Sequence, residues 1–248
     1  MKLSGLILIG FTVLCATEAP PQSAVVSDTS SATIPVPKDV KGWQARHDSI
    51  NAKAKQGGID LVYIGDSIVQ QIESKGKEVW DHYYAPRHAL NLGLSGDRTQ
   101  HVLWRIDHGN LDGVHPKLTI IMIGQNNGGH NTAQEITEGV TAVVQRVRDK
   151  CPESKILLLA IFKRRPQMVP ERAVFDEAND KISKLADGKI IFFQDVNSCF
   201  VKPDGSIPAE LMPDFEHPSL LGHKVWAEAI EPTVANLFGD KPLEPLAH

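Results

Sequence analysis

At 248 residues with a formal net charge of −4, the chain is long enough for one sizeable domain and carries no marked acidic or basic excess. No basic run exceeds Lys163-Arg164-Arg165, a triplet that reads as a loop, so the electrostatic footprint of a nucleic-acid binder is absent.

In chain order, Met1-Lys2 is a short basic start, Leu3 to Leu14 is almost wholly apolar, and small residues follow at Ala16, Ala19 and Ala24. This pattern predicts a signal peptide over residues 1–24 and export, to the periplasm or out of the cell. The run is too short to span a membrane, so no transmembrane segment is expected once the leader is removed. Cys15 ends that run where a lipidated cysteine would stand, but Leu14 occupies the position where such a site wants a small residue; a lipid anchor is the weaker reading. Residues 25–40, rich in Pro, Ser, Thr and Val without a helical period, predict a flexible linker. A domain over residues 41–240 and a frayed tail over 241–248, with Pro242 and Pro245, complete the division.

Within the domain a helical stretch, Lys41 to Gln56, is stopped by Gly57-Gly58. Short apolar runs then alternate with amphipathic ones. The predicted strands are Leu61–Ile64, Ala89–Leu92, Leu118–Ile123, Lys155–Ile161 and Lys189–Phe193. The predicted helices are Ile68–Trp80, Thr99–Ile106, Ala133–Lys150, Pro170–Ala186 and Ser219–Phe238. Strands without polar alternation are buried on both faces, as in a parallel sheet covered by helices, and right-handed crossovers make this an α/β chain with a three-layer α/β/α sandwich. Cys151 and Cys199 then fall at opposite ends of the sheet, too far apart for a disulfide.

Ligands of such sheets sit beyond the carboxyl ends of the strands. Four polar, mostly glycine-bearing turns lie at that end: Gly65-Asp-Ser67, Gly93-Leu-Ser-Gly-Asp-Arg-Thr99, Gly124-Gln-Asn-Asn127 and, before the last helix, Asp214-Phe-Glu-His217. Ester cleavage through a serine needs a nucleophile, a base, an acid partner to orient the base, and donors for the oxyanion. Ser67 is the candidate nucleophile, His217 the base and Asp214 its partner. The Ser67 N–H, the Gly96 N–H and the Asn126 amide are candidate oxyanion donors. Each has a plainer reading: Asp66 or Ser67 caps a helix, Asp214 caps another, Gly96 supplies a positive φ and Asn126 fills a turn. Ser95 is a rival nucleophile. The other histidines show no metal-ligand spacing, and neither a Gly-x-Ser-x-Gly elbow nor a nucleotide-binding glycine loop is present.

The combination carries more than its parts. Gly-Asp-Ser, a glycine loop with Gly-Asp-x-Thr, Gly-x-Asn-Asn and Asp-x-x-His, in this order, resemble the four blocks of the GDSL/SGNH hydrolase superfamily from about Leu61 to Phe238. Asn91 to Arg105, Gly124-Gln-Asn-Asn127 and Met212-Pro-Asp-Phe-Glu-His217 are most similar to the catalytic-subunit type of platelet-activating factor acetylhydrolase. The resemblance implies the SGNH hydrolase fold, with a flavodoxin-like five-stranded parallel sheet ordered 2-1-3-4-5. It implies no metal and no cofactor, and gives Ser67, His217, Asp214, Gly96 and Asn126 the roles named above. Related mammalian subunits pair, so a homodimer is an expectation, although no stretch of sequence marks an interface.

The expected activity is a serine esterase for short acyl groups, acetyl above all, acting on a small-molecule or glycan ester such as an O-acetylated carbohydrate. A lysophospholipase or thioesterase with the same triad, and a non-catalytic glycan-binding module, are the alternatives. Ile68, Gln125 and Glu216 are candidate substrate-binding residues. Glu216 stands where the relatives carry an apolar residue; it either opposes long acyl chains or faces solvent. The segment from Phe162 to Pro170 is expected to wall the mouth of the site.

Overall fold

The apolar runs become five strands: β1 (Leu61–Gly65), β2 (Ala89–Asn91), β3 (Leu118–Met122), β4 (Lys155–Leu159) and β5 (Ile191–Gln194). All are parallel, in the order β2-β1-β3-β4-β5. The structure, a computed structural model, describes residues 30–165 and 169–247. The helices are α1 (Trp43–Ala54), α2 (Ser67–Ile72), α3 (Lys77–Val79), α4 (Thr99–Arg105), α5 (Ala133–Lys150), α6 (Pro170–Ile182) and α7 (Leu220–Phe238). Residues of β1 and β3 are buried throughout, because apolar clusters cover both faces. One cluster joins the sheet to α4, α5 and α6. The other joins it to α2 and α7. β1 lies between β2 and β3, where the chain reverses its direction of travel across the sheet. The carboxyl end of β1 therefore opens between the loops that follow its two neighbours. Among the described residues no helix is long and apolar enough to cross a membrane.

The expected helix Ile68–Trp80 is broken. α2 ends at Ile72, and Gly76 (φ −99, ψ 23) starts a new turn at α3 that widens over Trp80–Tyr84. At Gly76 the chain packs closely on α7, where a side chain would strike the His223 ring. The last strand starts later than expected because the Asp187 carboxylate accepts the N–H groups of Lys189, Ile190 and Ile191 in a turn.

Two boundaries need correction. The predicted linker over 25–40 is packed from residue 30 onward. Ser31–Thr33 form a single helical turn with Ala32 fully buried. Thr99 Oγ1 donates to the Ala32 carbonyl, Asn131 Nδ2 donates to Ser31 Oγ, and Val36 N–H donates to the Gln100 carbonyl. Gly139 on α5 leaves the room for this, since a Cβ there would strike Thr99 Oγ1 and the Ala32 carbonyl. The tail read as frayed is also docked. Leu243 N–H donates to Glu231, His82 Nε2 bonds the Glu244 carbonyl, and Leu243 and Leu246 pack on the α7 side of the core. The leader read over residues 1–24 and the lipidation site at Cys15 lie outside the described residues. Cys151 and Cys199 are both free thiols.

Candidate active site

Asp66, and not Ser67, caps the helix that follows β1. Asp66 is the N-cap of α2, its carboxylate accepting the Ile68 N–H at 3.0 Å. Ser67 is thereby relieved of the capping role. Its Oγ lies instead 2.9 Å from His217 Nε2. The other turn divides its labour in the same way. Ser219 caps α7 by accepting the Gly222 N–H, which leaves Asp214 for the histidine. Asp214 Oδ1 accepts the backbone N–H of His217 at 2.7 Å and of Glu216 at 3.1 Å, while Oδ2 lies 2.8 Å from His217 Nδ1. Phe215 takes a left-handed φ of 58 to close this turn. Partial burial pushes the Asp214 carboxyl up, but the donors from His217 and Glu216 outweigh it and hold it below the usual range. A carboxylate fixed to the chain at one oxygen and to the ring at the other sets the tautomer: Nδ1 carries the proton, and Nε2 is free to accept from Ser67.

The loop after β2 is drawn against α2. A Cβ at Gly93 would strike the Gln70 nitrogen, and Asn91 bonds both the Val69 carbonyl and the Gly93 N–H. This brings Gly96 (φ 71) and Asp97 toward the serine turn. Asn126 fastens the arrangement, its amide donating to Asp66 Oδ2 at 3.1 Å and to the Asp97 carbonyl at 3.0 Å. Hydrogen bonds thus link Ser67, His217 and Asp214 in one set and Asp66, Asn126 and Asp97 in another, the two joined by the chain itself between Asp66 and Ser67, with Gly96 adjoining through Asp97. Ser95 is not a rival, since its hydroxyl and N–H both bond Gln70 Oε1.

The candidate substrate-binding residues fare differently. Ile68 is fully buried, and Gln125 is buried with its amide on the Phe162 carbonyl. With Asp66, Met122, Ile161 and Phe162 they enclose a gap too small for water. Glu216 is partly buried and ion-paired. Arg164 holds it at 2.8 Å and binds Glu171 through two further bonds. The described part of the Phe162–Pro170 segment joins the histidine turn, the Arg165 N–H donating to the Phe215 carbonyl.

Sequence reasoning missed the support beneath the loop after β2. Asp97 is fully buried and accepts from Trp43 Nε1 at 2.6 Å and from Arg105 Nε at 2.8 Å. The available signal was Arg105 itself, standing among Val102, Leu103 and Ile106 on a helix whose other neighbours bury; an arginine there needs a buried partner.

Asp66 gives a testable consequence. Burial, opposed by the Ile68 N–H, pushes its carboxyl up to about 7. The native state therefore holds a proton that the unfolded chain has released, and this contribution to stability, present at acid pH, is lost as pH rises through about 7. Asp66→Asn keeps a good N-cap and removes the titration. Between about pH 5 and about pH 8 its urea midpoint is expected to fall less than the parent's; equal falls in both proteins count against a raised Asp66.

Residues 63–225 match the GDSL-like Lipase/Acylhydrolase family. The chain is 35% identical over 216 residues to platelet-activating factor acetylhydrolase IB subunit alpha1 of Bos taurus, covering 85% of this chain and 92% of that one. Among solved structures, a GDSL-like lipase from Bacteroides thetaiotaomicron superposes with a TM-score of 0.61 at 16% identity, over 77% of this chain and 97% of the other. An acetyl-xylooligosaccharide esterase from Geobacillus Stearmophilus superposes with a TM-score of 0.59 at 20% identity, over 76% and 97%. The chain belongs to the GDSL-like lipase/acylhydrolase family and is a carboxylic ester hydrolase.

Proposed function

We propose that the chain removes short acyl groups, acetyl above all, from the hydroxyls of a small molecule or glycan by way of an acyl-enzyme on Ser67. The observation that carries this reading is the hydrogen-bonded relay from Ser67 Oγ through His217 to Asp214, at 2.9 and 2.8 Å, with the capping duties of both turns assigned elsewhere.

In the first half-reaction His217 Nε2 takes the Ser67 proton as Oγ attacks the ester carbonyl. The N–H groups of Ser67 and Gly96 and the Asn126 amide meet the oxyanion. The C–O bond to the alcohol breaks, and His217 returns its proton to the leaving oxygen. In the second half-reaction His217 deprotonates a water that attacks the acyl-serine. Collapse releases the acid, and the proton returns to Ser67. Asp214 stays ionised throughout and stabilises the imidazolium.

Support for a short acyl group comes from the closed space around Ile68 and Gln125 and from the charged neighbours of His217. The acetyl group is also what the names of the bovine relative and the Geobacillus esterase share, although their alcohol halves differ. The test is a panel of p-nitrophenyl esters with fluorophosphonate labelling. Acetate is expected to be cleaved with a higher kcat/KM than octanoate, and one label to attach per chain; a preference for octanoate moves the reading to a lysophospholipase or thioesterase, and absence of both cleavage and label moves it to a binding module. Glu216→Leu supplies apolar surface beside His217, and Arg164 keeps Glu171 as its partner. Its octanoate-to-acetate ratio is expected to rise about tenfold; an unchanged ratio removes Glu216 from acyl selection.

A further inference from the structure

The loop after β2 carries its oxyanion donor on a peptide that can turn over. Leu94 to Asp97 form a four-residue turn, closed by the Asp97 N–H donating to the Leu94 carbonyl at 3.1 Å. Its third residue, Gly96, has φ 71, while its second, Ser95, is not among the described residues with positive φ. That is the type II form. Types I and II differ chiefly in their central peptide, here the one joining Ser95 to Gly96, which rotates by roughly half a turn between them while the ends stay in place. In a trans peptide the carbonyl and the N–H point opposite ways. Turning this one over therefore exchanges a donor, the Gly96 N–H, for an acceptor, the Ser95 carbonyl.

The ends of the turn are fastened from several sides. Leu94 N–H donates to the Gly65 carbonyl at 3.2 Å, and Ser95 N–H to Gln70 Oε1 at 2.7 Å. At the other end the Asp97 carbonyl accepts from Asn126, and its carboxylate accepts from Trp43 and Arg105. None of these bonds involves the central peptide. The Gly96 N–H has no acceptor among the described residues, as suits a donor kept for an oxyanion. The Ser95 carbonyl is held by Lys38, whose Nζ donates to it at 3.2 Å. The ammonium lies beside the bare face of Gly96, where a Cβ would collide with it, so glycine here permits both the positive φ and the approach of the lysine. The segment ahead of α1 brings Lys38 to this place, tied by the Val36 N–H to the Gln100 carbonyl and by the Ala32 carbonyl to Thr99 Oγ1.

We infer that Lys38 is a positioning residue for the oxyanion hole: by holding the Ser95 carbonyl, its ammonium keeps the peptide between Ser95 and Gly96 in the orientation that presents the Gly96 N–H to the reacting ester. The inference rests on the esterase reading above, which gives Gly96 that role. Lys38 acts through the peptide rather than on the substrate, and one bond does two things. It favours the type II form over its alternative. It also draws charge from the amide at the carbonyl oxygen, which makes the N–H a better donor. The other form of the turn would set a carbonyl oxygen where negative charge develops. Molecules in that form are inactive, so kcat falls with the fraction of chains that leave the type II form, while KM stays.

The test compares Lys38→Met and Lys38→Arg with the parent on p-nitrophenyl acetate. Methionine keeps the apolar stem and removes the donor, and arginine restores a cationic donor. Ser95 is exposed, so its carbonyl meets water in the methionine variant and folding is spared. Lys38→Met is expected to lower kcat about five- to tenfold with KM within about twofold, the range of one charge-assisted bond tipping a two-state peptide. Lys38→Arg is expected to recover more than about half of the parent rate. The pH at which activity falls as His217 protonates stays the same in all three. Binding of trifluoroacetone, whose adduct with Ser67 carries an oxyanion, weakens by the same factor as kcat/KM. A kcat in Lys38→Met within about twofold of the parent, or equal losses in the two variants, overturns the role and leaves the esterase reading standing. Nuclear magnetic resonance reads the peptide without turnover. Ser95 and Gly96 form one of two Ser–Gly pairs in the chain, the other being Ser4 and Gly5 near its start, so labelling serine carbonyl carbon and glycine nitrogen isolates this amide. Lys38→Met is expected to shift the Gly96 nitrogen resonance and Lys38→Arg to return it most of the way; an unmoved resonance overturns the inference. A parent that fails to cleave the acetate while the resonance moves removes the esterase reading and leaves the hold of Lys38 on the peptide in place.

Discussion

Ser67→Ala is expected to abolish hydrolysis of p-nitrophenyl acetate, with kcat at least about 10⁴-fold below the parent, and to abolish fluorophosphonate labelling. The size of the effect follows from the lack of a substitute. Ser95, the other serine in these turns, gives its hydroxyl to Gln70 and has no hydrogen bond to histidine. Without the Ser67 hydroxyl, His217 can act only on water, and the acyl-enzyme route is closed. The loss will not come from unfolding. Asp66 caps α2, so Ser67 carries no structural hydrogen bond other than that to His217. Its removal should move stability by no more than about 0.5 kcal/mol, as for a half-exposed side chain with no other duty. Thermal unfolding checks this. A variant that keeps the parent's melting temperature and more than about a hundredth of its rate would place the nucleophile elsewhere.

The layout of the site was legible because it rests on local patterns at strand ends. β1, β3 and β4 are nearly continuous apolar runs, and each turn at the site carries its own small or polar punctuation. What stayed hidden depends on distant pairings. Ser30 to Thr33 read as spacer because small polar residues have no inward face of their own; they find one in the space beside Gly139, more than a hundred positions later. The close packing at Gly76 likewise involves the His223 ring on a helix near the other end of the chain. Glu216 could be read as facing the substrate or the solvent, but not as facing Arg164, because nothing in the sequence relates a residue after β4 to one beside the final helix. For Ser67 and Asp214, the sequence left capping and catalysis as alternatives. The caps go to Asp66, next to Ser67, and to Ser219, two positions beyond His217.

Asn126→Ala is expected to lower kcat about 10²- to 10³-fold with little change in KM, the signature of a donor that matters chiefly when charge develops on the carbonyl oxygen. The resting geometry makes this a demanding test. Both protons of the Asn126 amide are already engaged, one on the Asp97 carbonyl and one on Asp66 Oδ2. To serve an oxyanion, the amide must share one of them. The Asp66 bond is the easier to share, because burial keeps that carboxyl protonated up to about pH 7, and a neutral carboxyl accepts more weakly than a carboxylate. The Asp97 bond is the one to keep, since it holds the residue next to Gly96 and so positions the second donor. Alanine at 126 therefore removes one donor and loosens another, and a stability loss of about 1–3 kcal/mol should accompany it. Asn127→Ala separates the two effects. Asn127 is fully buried and its amide grips Thr99, Gln100 and Asn131, fastening the same two loops from below without a bond to Asp66 or Asp97. It should lose comparable stability in urea while keeping kcat within about tenfold of the parent. If the two variants instead lose kcat equally, Asn126 acts by holding the loop in place, and the oxyanion would rest on the backbone donors of Ser67 and Gly96 alone.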